Sequence, residues 1–600
     1  MTEAVSPVEK RGLLPPIGSA RYHVMLSAIA IFVLGPLGGV TASYMNFSLG
    51  FFVGGQVLAG ILGSAVTYFY GPEGKHGANY MQTMAASVAS MSAMGVLIQA
   101  MTWLGLPQPP LWQLILYFLC IGMFGVGVGM LYTPILVDRL NLTFPSGLAV
   151  ANILRALTDK NLLKRSISQL GGGIAVGFGG AKLVEVVEWL GATGLSTSTF
   201  GAGMIVGARI GVPAIVVGFI GRELTPWLRD IGWLGPHDPF RKIGFIIALG
   251  TILGAAIVDL TLIFRQAITK MRSKADPAAV AVPVEEWKKT NTRSLLLWAG
   301  FWGVGLVIVA TQVLNVPALY VLFAMGLVFV FLMINGISLG ISDSNPISSA
   351  FVVSVLLMSA IGLKDPGVGL MAASILLVST AVGCDMQQDR STGWRLGTPR
   401  NIQFRYQVVG VFMGAIMAVV MAKVFMQAYP VLAVDTFSHP EQKVAQWQSA
   451  MTYKFVGALR GLTSTGGHQL TGLSIGIGIG FVTEVLRKLL KSSAAYQAFR
   501  VKGEVNKAID FTLDAVILPS PYASSFGGFV EWGTAAWYGV GGIASSLYNE
   551  ITERIAAGKP KNSDIPEDMS TTSLTGGGLI AGDSLYALYA GISGLLASIL

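Results

Sequence analysis

The amino-acid sequence predicts an all-α polytopic membrane protein, and three observations carry that prediction. Only 12% of the 600 residues are charged while 53% are hydrophobic, about half the charge of a soluble protein. Mean hydropathy is +0.64, and apolar windows of about 20 residues recur along the whole length, leaving no room for an ordinary soluble domain. Strand-type alternation is missing, which argues against a transmembrane barrel. The 75 glycines exceed the average of about 7% and predict closely packed helices, because small residues let backbones approach where lipid gives no hydrophobic drive.

Residues 1–21 lack an apolar core and a small-residue cleavage site, so they read as a cytoplasmic polar leader. A first transmembrane half, 22–264, holds runs near Tyr22–Met45, Phe47–Tyr70, Ala78–Trp103, Leu111–Val137, Ile167–Leu190, Phe200–Ile220 and Ile243–Phe264. Residues 265–293 carry seven Lys/Arg against three Asp/Glu and read as a cytoplasmic linker. The second half, 294–600, holds runs near Ser294–Leu314, Pro317–Ile341, Pro346–Leu363, Gly367–Val382, Tyr406–Tyr429 and His468–Val485, a long broken stretch from Ala508 to Leu547, and Gly576–Leu600. "VASMSAMG" (Val88–Gly95) beside "VLLMSAIG" (Val355–Gly362) suggests an internal duplication.

The positive-inside rule puts the leader, "DRLNLTF", the linker, "QQDRSTGWRLGTPRNIQFR" and "RKLLKSSAAYQAFR" inside. It puts "LGLPQPP" and the net acidic "NEITERIAAGKPKNSDIPEDMS" outside. These placements require an even number of crossings in the first half, where seven are clear. Phe144–Leu157, 14 residues long, is the candidate eighth; yet a full crossing would export Arg155, Lys160, Lys164 and Arg165, so a broken or re-entrant helix is expected.

Polar backbone at membrane depth is tolerated only where it is buried in protein or lines a wet cavity, so breaks point to a binding site. In "FPSG", Pro145 can start a helix, Ser146 can cap it and Gly147 allows close approach. The helix end would then offer N–H groups to an anion. "SDSNPISS" (with Ser344, Asn345 and Pro346), "STGGHQLTG" (with His468) and "LPSPYASSFGG" are similar breaks. Ionisable residues inside apolar runs are default candidates for coupling: Lys182, Glu185, Glu188, Asp259, Asp343, Asp385, Lys423, Glu484, Asp510, Asp514, Glu531 and Asp583. Of these, Asp343, Asp385, Glu531 and Asp583 sit beside breaks or small residues and are the expected proton carriers.

Enzyme signatures are thin. Five His residues form no H-E-x-x-H, Cys120 and Cys384 form no metal or disulfide pattern, and no P-loop is present. No cofactor, no metal site and no catalytic residue are expected, although Ser146 with His468 could be imagined as an intramembrane hydrolase. The spaced basic clusters do not form a nucleic-acid patch.

Five segments in order resemble the oligopeptide transporter (OPT) family, which includes the yellow-stripe-like metal-chelate transporters: "GANYMQTMAAS", "DRLNLTFPSGLAVANILRAL", "DSNPISS", "GCDMQQDRSTGWRLGTPRNIQ" and "GGGLIAGDSLYAL". The resemblance implies about sixteen membrane segments as two repeated halves. It also implies proton-coupled uptake of small peptides or peptide-like metal chelates across a plasma or bacterial inner membrane. It places Asn79, Gln82, Thr83 and Ser87, Pro145, Ser146 and Gly147 with Asn152, Asn345 with Pro346, and Asp385 with Gln388 along the pathway. Arg390 stands where the family has Lys, and Asp583 where it has Glu. The expected partners are the substrate, protons and the lipid bilayer, with a homodimer as one allowed assembly.

Overall fold

The computed structural model describes residues 14–48, 55–158, 160–236, 238–272, 285–343, 345–436, 438–439, 442, 447, 449–460, 467–500, 502–556 and 570–599. Those residues are helical without a strand, and nine of their helices are long and apolar enough to cross a membrane. The helices that matter for the site are α1 (Gly74–Ser92), α2 (Leu111–Thr133), α3 (Pro145–Thr158), α4 (Lys160–Val186), α5 (Thr197–Val206), α6 (Ala208–Asp230) and α7 (Arg241–Arg272). After the linker come α8 (Ala318–Ser342), α9 (Ile347–Ala360), α10 (Pro366–Leu396), α11 (Arg400–Ala428), α12 (Gly467–Ser492), α13 (Pro521–Phe529), α14 (Trp532–Ala556) and α15 (Thr571–Ile599).

The loops sort to two ends of the bundle. At one, Arg400 pairs with Asp138 at 2.7 Å and reaches the Lys288 carbonyl, while His23 Nδ1 lies 2.8 Å from the Tyr406 hydroxyl. At the other, Trp103 Nε1 donates to the Leu432 carbonyl and Arg460 to that of Trp103. The start of the first described helix, "DRLNLTF" and the described part of the linker at 285–293 thus share one end, opposite "LGLPQPP".

The eighth crossing of the first stretch lies elsewhere than at Phe144–Leu157. Phe200–Ile220, read as one span, breaks at Gly207, whose φ of 80° lies in the left-handed region. Thr572 on α15 donates to Asn549 on α14, so α14 runs toward the end where α15 begins. α5 lies antiparallel to α15, with Ser198 beside Asp583 and Gly201 beside Gly576. α6 lies antiparallel to α14, with Gly211 beside Gly539 and Gly218 beside Ala535. α5 and α6 therefore form a hairpin whose two legs run in opposite directions, which supplies the reversal the even count requires. The apolar sequence runs through Gly207 unbroken, so hydropathy alone cannot see the reversal.

α3 is the re-entrant element. It starts with Gly147 against the Gln388 carbonyl and ends with Arg155 donating to the Arg395 carbonyl, while Arg395 also reaches back to that of Thr143 at 2.9 Å. Both flanks of α3 thus open toward the end that holds Arg400, and its basic residues need not be exported. A second correction concerns the acidic loop. Arg554 pairs with Glu504 at 3.8 Å, so "NEITERIA" lies at the same end as "RKLLKSSAAYQAFR", not opposite it. The reason is again a hairpin: α13 lies antiparallel to α7, with Tyr522 beside Asp259 and Gly528 beside Gly244, and α14 then runs back along α6.

Helices from before and after the linker interleave. α7 packs along α12, and α4 along α15, each pair parallel and closed on glycine. A Cβ at Gly480 would lie 1.8 Å from the Thr251 carbonyl oxygen, and one at Gly582 would lie 2.2 Å from that of Ile174. No side chain fits at such separations, which is how the glycine-rich composition becomes close backbone packing.

Candidate functional site

The site is a polar stripe through an otherwise apolar core. On α1, buried Asn79, Gln82, Thr83, Ser87 and Ser90 recur at helical spacing and face α10 and α11. Gln403 on α11 ties the three helices together, its Nε2 donating to Thr83 Oγ1 at 2.9 Å and to the Asp389 carbonyl at 2.7 Å. Asn79 Nδ2 donates to Thr398 Oγ1, and Gln82 Nε2 to Asp389 Oδ1. Ser90 Oγ donates to Asp385 Oδ2 at 2.6 Å. Ser87, Ser90, Asp385, Asp389 and Gln407 line a closed cleft with no room for even a water molecule, so a ligand enters only if these helices part.

The second part of the site is the start of α3. Ser146 donates its backbone N–H to Asp343 Oδ1 at 3.0 Å and its hydroxyl to Asp343 Oδ2 at 2.5 Å. Gln388 Nε2 adds a third bond to Asp343 Oδ1 at 2.8 Å. The expected open helix N-terminus is therefore filled by the protein's own carboxylate, which satisfies its free N–H and its dipole. Gly147 has the role assigned to it: a Cβ there would lie 2.6 Å from the Gln388 carbonyl, and Thr392 Oγ1 bonds the Gly147 carbonyl at 2.8 Å. Backbone strain brackets the contact, since Phe144 and Asp343 both have left-handed φ values, 45° and 59°. Such conformations persist only where surrounding structure imposes them. The break after α8 then delivers Asn345, whose Nδ2 donates to Asp385 Oδ1 at 3.1 Å, and Pro346, which precedes α9. Ser344 lies outside the described residues.

Asn79, Gln82, Thr83, Ser87, Pro145, Ser146, Gly147, Asp343, Asn345, Pro346, Asp385 and Gln388 thus come together around α1, α3 and α10. Four expected residues lie elsewhere. Asn152 joins α3 to α15 through Ser573 at 3.0 Å. Asp583 accepts the Ser198 N–H at 3.0 Å and caps the start of α5. Glu531 is an exposed partner of Arg241 at 2.8 Å, because the turn between α13 and α14 carries it to the surface. His468 packs on Trp233, so the imagined pair with Ser146 does not form.

Asp389, Arg390, Gln403, Gln407 and Ser90 belong to the site and are missing from the sequence-based set. The run "QQDRSTGWR" reads as a charged loop, yet it continues α10, and Gln387–Gly393 are all buried. The signal was present in the spacing, since Asp385, Gln388, Asp389 and Thr392 recur at i, i+3, i+4 and i+7. Among the described residues no group of three or more His, Cys, Asp or Glu side chains could hold a metal ion.

Comparison with known proteins fits this arrangement. The family model described as "OPT oligopeptide transporter protein" matches residues 22–593. The chain belongs to the OPT family. A relative from Haemophilus influenzae named "Putative oligopeptide transporter" is 22% identical over 524 residues, covering 75% of this chain and 80% of its own. Family membership makes the chain a multi-pass membrane transporter of the oligopeptide type, and the polar stripe of α1, α3 and α10 lies within the matched residues.

Proposed function

We propose that this OPT-family member imports small oligopeptides or peptide-like substrates by proton-coupled alternating access across a plasma or bacterial inner membrane. One observation carries the reading. Asp343 sits at a helix break in the core and Asp385 lies within α10 beside the Asn345 break; each is held by neutral donors, the Ser146 hydroxyl and N–H with the Gln388 amide for one, the Ser90 hydroxyl and Asn345 amide for the other. A carboxylate without a cationic partner at membrane depth is a natural proton acceptor. When Asp343 takes a proton, one oxygen turns from acceptor to donor, and the charge-assisted grip on the Ser146 N–H and hydroxyl weakens. The start of α3 is then freer to swing, which would open the cleft beside Asp385.

Because helices from the two sequence halves interleave, the moving bodies are better drawn by packing. One group comprises α4 to α7 with α12 to α15; the other comprises α1, α2 and α8 to α11. α3 touches both, through Ser573 on one side and Thr392 on the other.

The test is uptake of peptide mixtures into proteoliposomes under an imposed pH gradient, with ferric and nickel chelates as competing substrates. Uptake that persists unchanged after the gradient collapses would remove the coupling. Preference for the chelates would move the substrate to the metal-bound class.

A further inference from the structure

An anionic peptide end was expected to sit at a helix N-terminus, but two of the broken-helix starts are already occupied, whereas those of α9 and α13 carry no side-chain cap. Asp343 fills that of α3 and Asp583 that of α5. A full positive charge with unused donors offers the carboxylate of a peptide more than an uncapped helix end, and one buried cation has them. Arg390, on α10, is 1% exposed. Its Nη2 donates to Gln407 Oε1 at 2.6 Å, while Nε and Nη1 are buried with no acceptor. The adjacent Asp389 is engaged by Gln82 through Oδ1. A guanidinium carries five donors in a planar fork that matches a carboxylate in two parallel bonds. Leaving part of that fork empty in the core is costly unless something fills it during the working cycle. Gln407, which accepts from Arg390, lines the cleft together with Asp385 and Asp389. On the other side of Asp389, Gln82 Oε1 is likewise buried without a donor, an acceptor suited to a peptide N–H.

We infer that Arg390 is the anchor for the free α-carboxylate of the transported peptide, reached when the α1–α10–α11 cleft opens, with Gln82 receiving a peptide N–H beside it. This rests on the peptide-transport reading above and adds to it a specificity: a free C-terminus is required. Arg390 binds substrate in this scheme and takes no part in proton exchange.

The experiment compares the full-length chain in proteoliposomes on two probes, a mixture of tri- to pentapeptides with free C-termini and the same mixture C-terminally amidated. The wild type is expected to take up the free mixture about tenfold faster or more, since a site built to bond a group rejects the analogue lacking it. Arg390→Gln should remove that preference by lowering uptake of the free mixture alone. Arg390→Lys, which keeps the charge but not the fork, should recover part of it. Equal uptake of the two mixtures by the wild type, or an Arg390→Gln variant that slows both equally, overturns the inference. If Arg390→Gln does not fold, the wild-type ratio and Arg390→Lys decide. Uptake of neither mixture by the wild type would instead defeat the peptide-transport reading itself, and the anchor with it.

Discussion

The starts of α3 and α5 are built alike and wired differently. Both are half-length helices whose first turn hands backbone N–H groups to an internal aspartate, Asp343 in one case and Asp583 in the other. At α5 the contacts stay local, with Ser196 and Ser198. At α3 the capping aspartate also accepts from Gln388, whose helix carries Asp385 one turn before it and Asp389 directly after it. The comparison teaches that a capping carboxylate is a structural device by default. It becomes a candidate switch only when it is bonded to something that must change.

Four substitutions test that distinction. The largest effect is expected from Asp343→Asn, which should abolish the dependence of uptake on the pH gradient and weaken the α3 start by about 1–2 kcal/mol, the worth of charge-assisted bonds; gradient-driven uptake at the wild-type rate would erase the difference between the two caps. Next, Asp583→Asn should cost about 1 kcal/mol of stability in thermal unfolding, as a lost cap does, yet leave coupling intact. Loss of coupling there would make the two starts equivalent. Ser146→Ala removes one of the three bonds to Asp343 and should slow uptake several-fold, at about 1 kcal/mol or less, with the gradient response kept; peptides incubated with either form should remain uncleaved by mass spectrometry, since the imagined His468 partner packs on Trp233 instead. Smallest is Glu531→Gln, which breaks an exposed ion pair with Arg241. It should change stability by roughly 0–0.5 kcal/mol and uptake not at all.

Much of this was legible in the residues. Composition and hydropathy announced a helical membrane bundle, and "FPSG" announced a short helix starting at Pro145 with Gly147 pressed on a neighbour. What filled that helix start was not legible, because Asp343 lies 197 residues away from Ser146 in sequence. The hairpin at Gly207 was hidden since glycine is frequent throughout this chain, and one reversed φ leaves no mark on an apolar run. The charges of "QQDRSTGWR" misled in the opposite direction. They resemble a loop when counted, and only their spacing shows a helix whose polar face is met by the amides of α1 and α11.

The glycine-closed pairs carry one more consequence. Where α12 lies on α7, the carbonyl of Thr251 occupies the space a side chain at Gly480 would need, and the α4–α15 pair repeats the arrangement at Gly582. Sliding either pair by one residue would drive a side chain into a backbone. Each pair therefore behaves as a double-walled strut that resists axial slip and rotation between its members. Motion in this protein would then be geared at the ends of the struts, with the two short helices α3 and α5 as pawls between stiff beams.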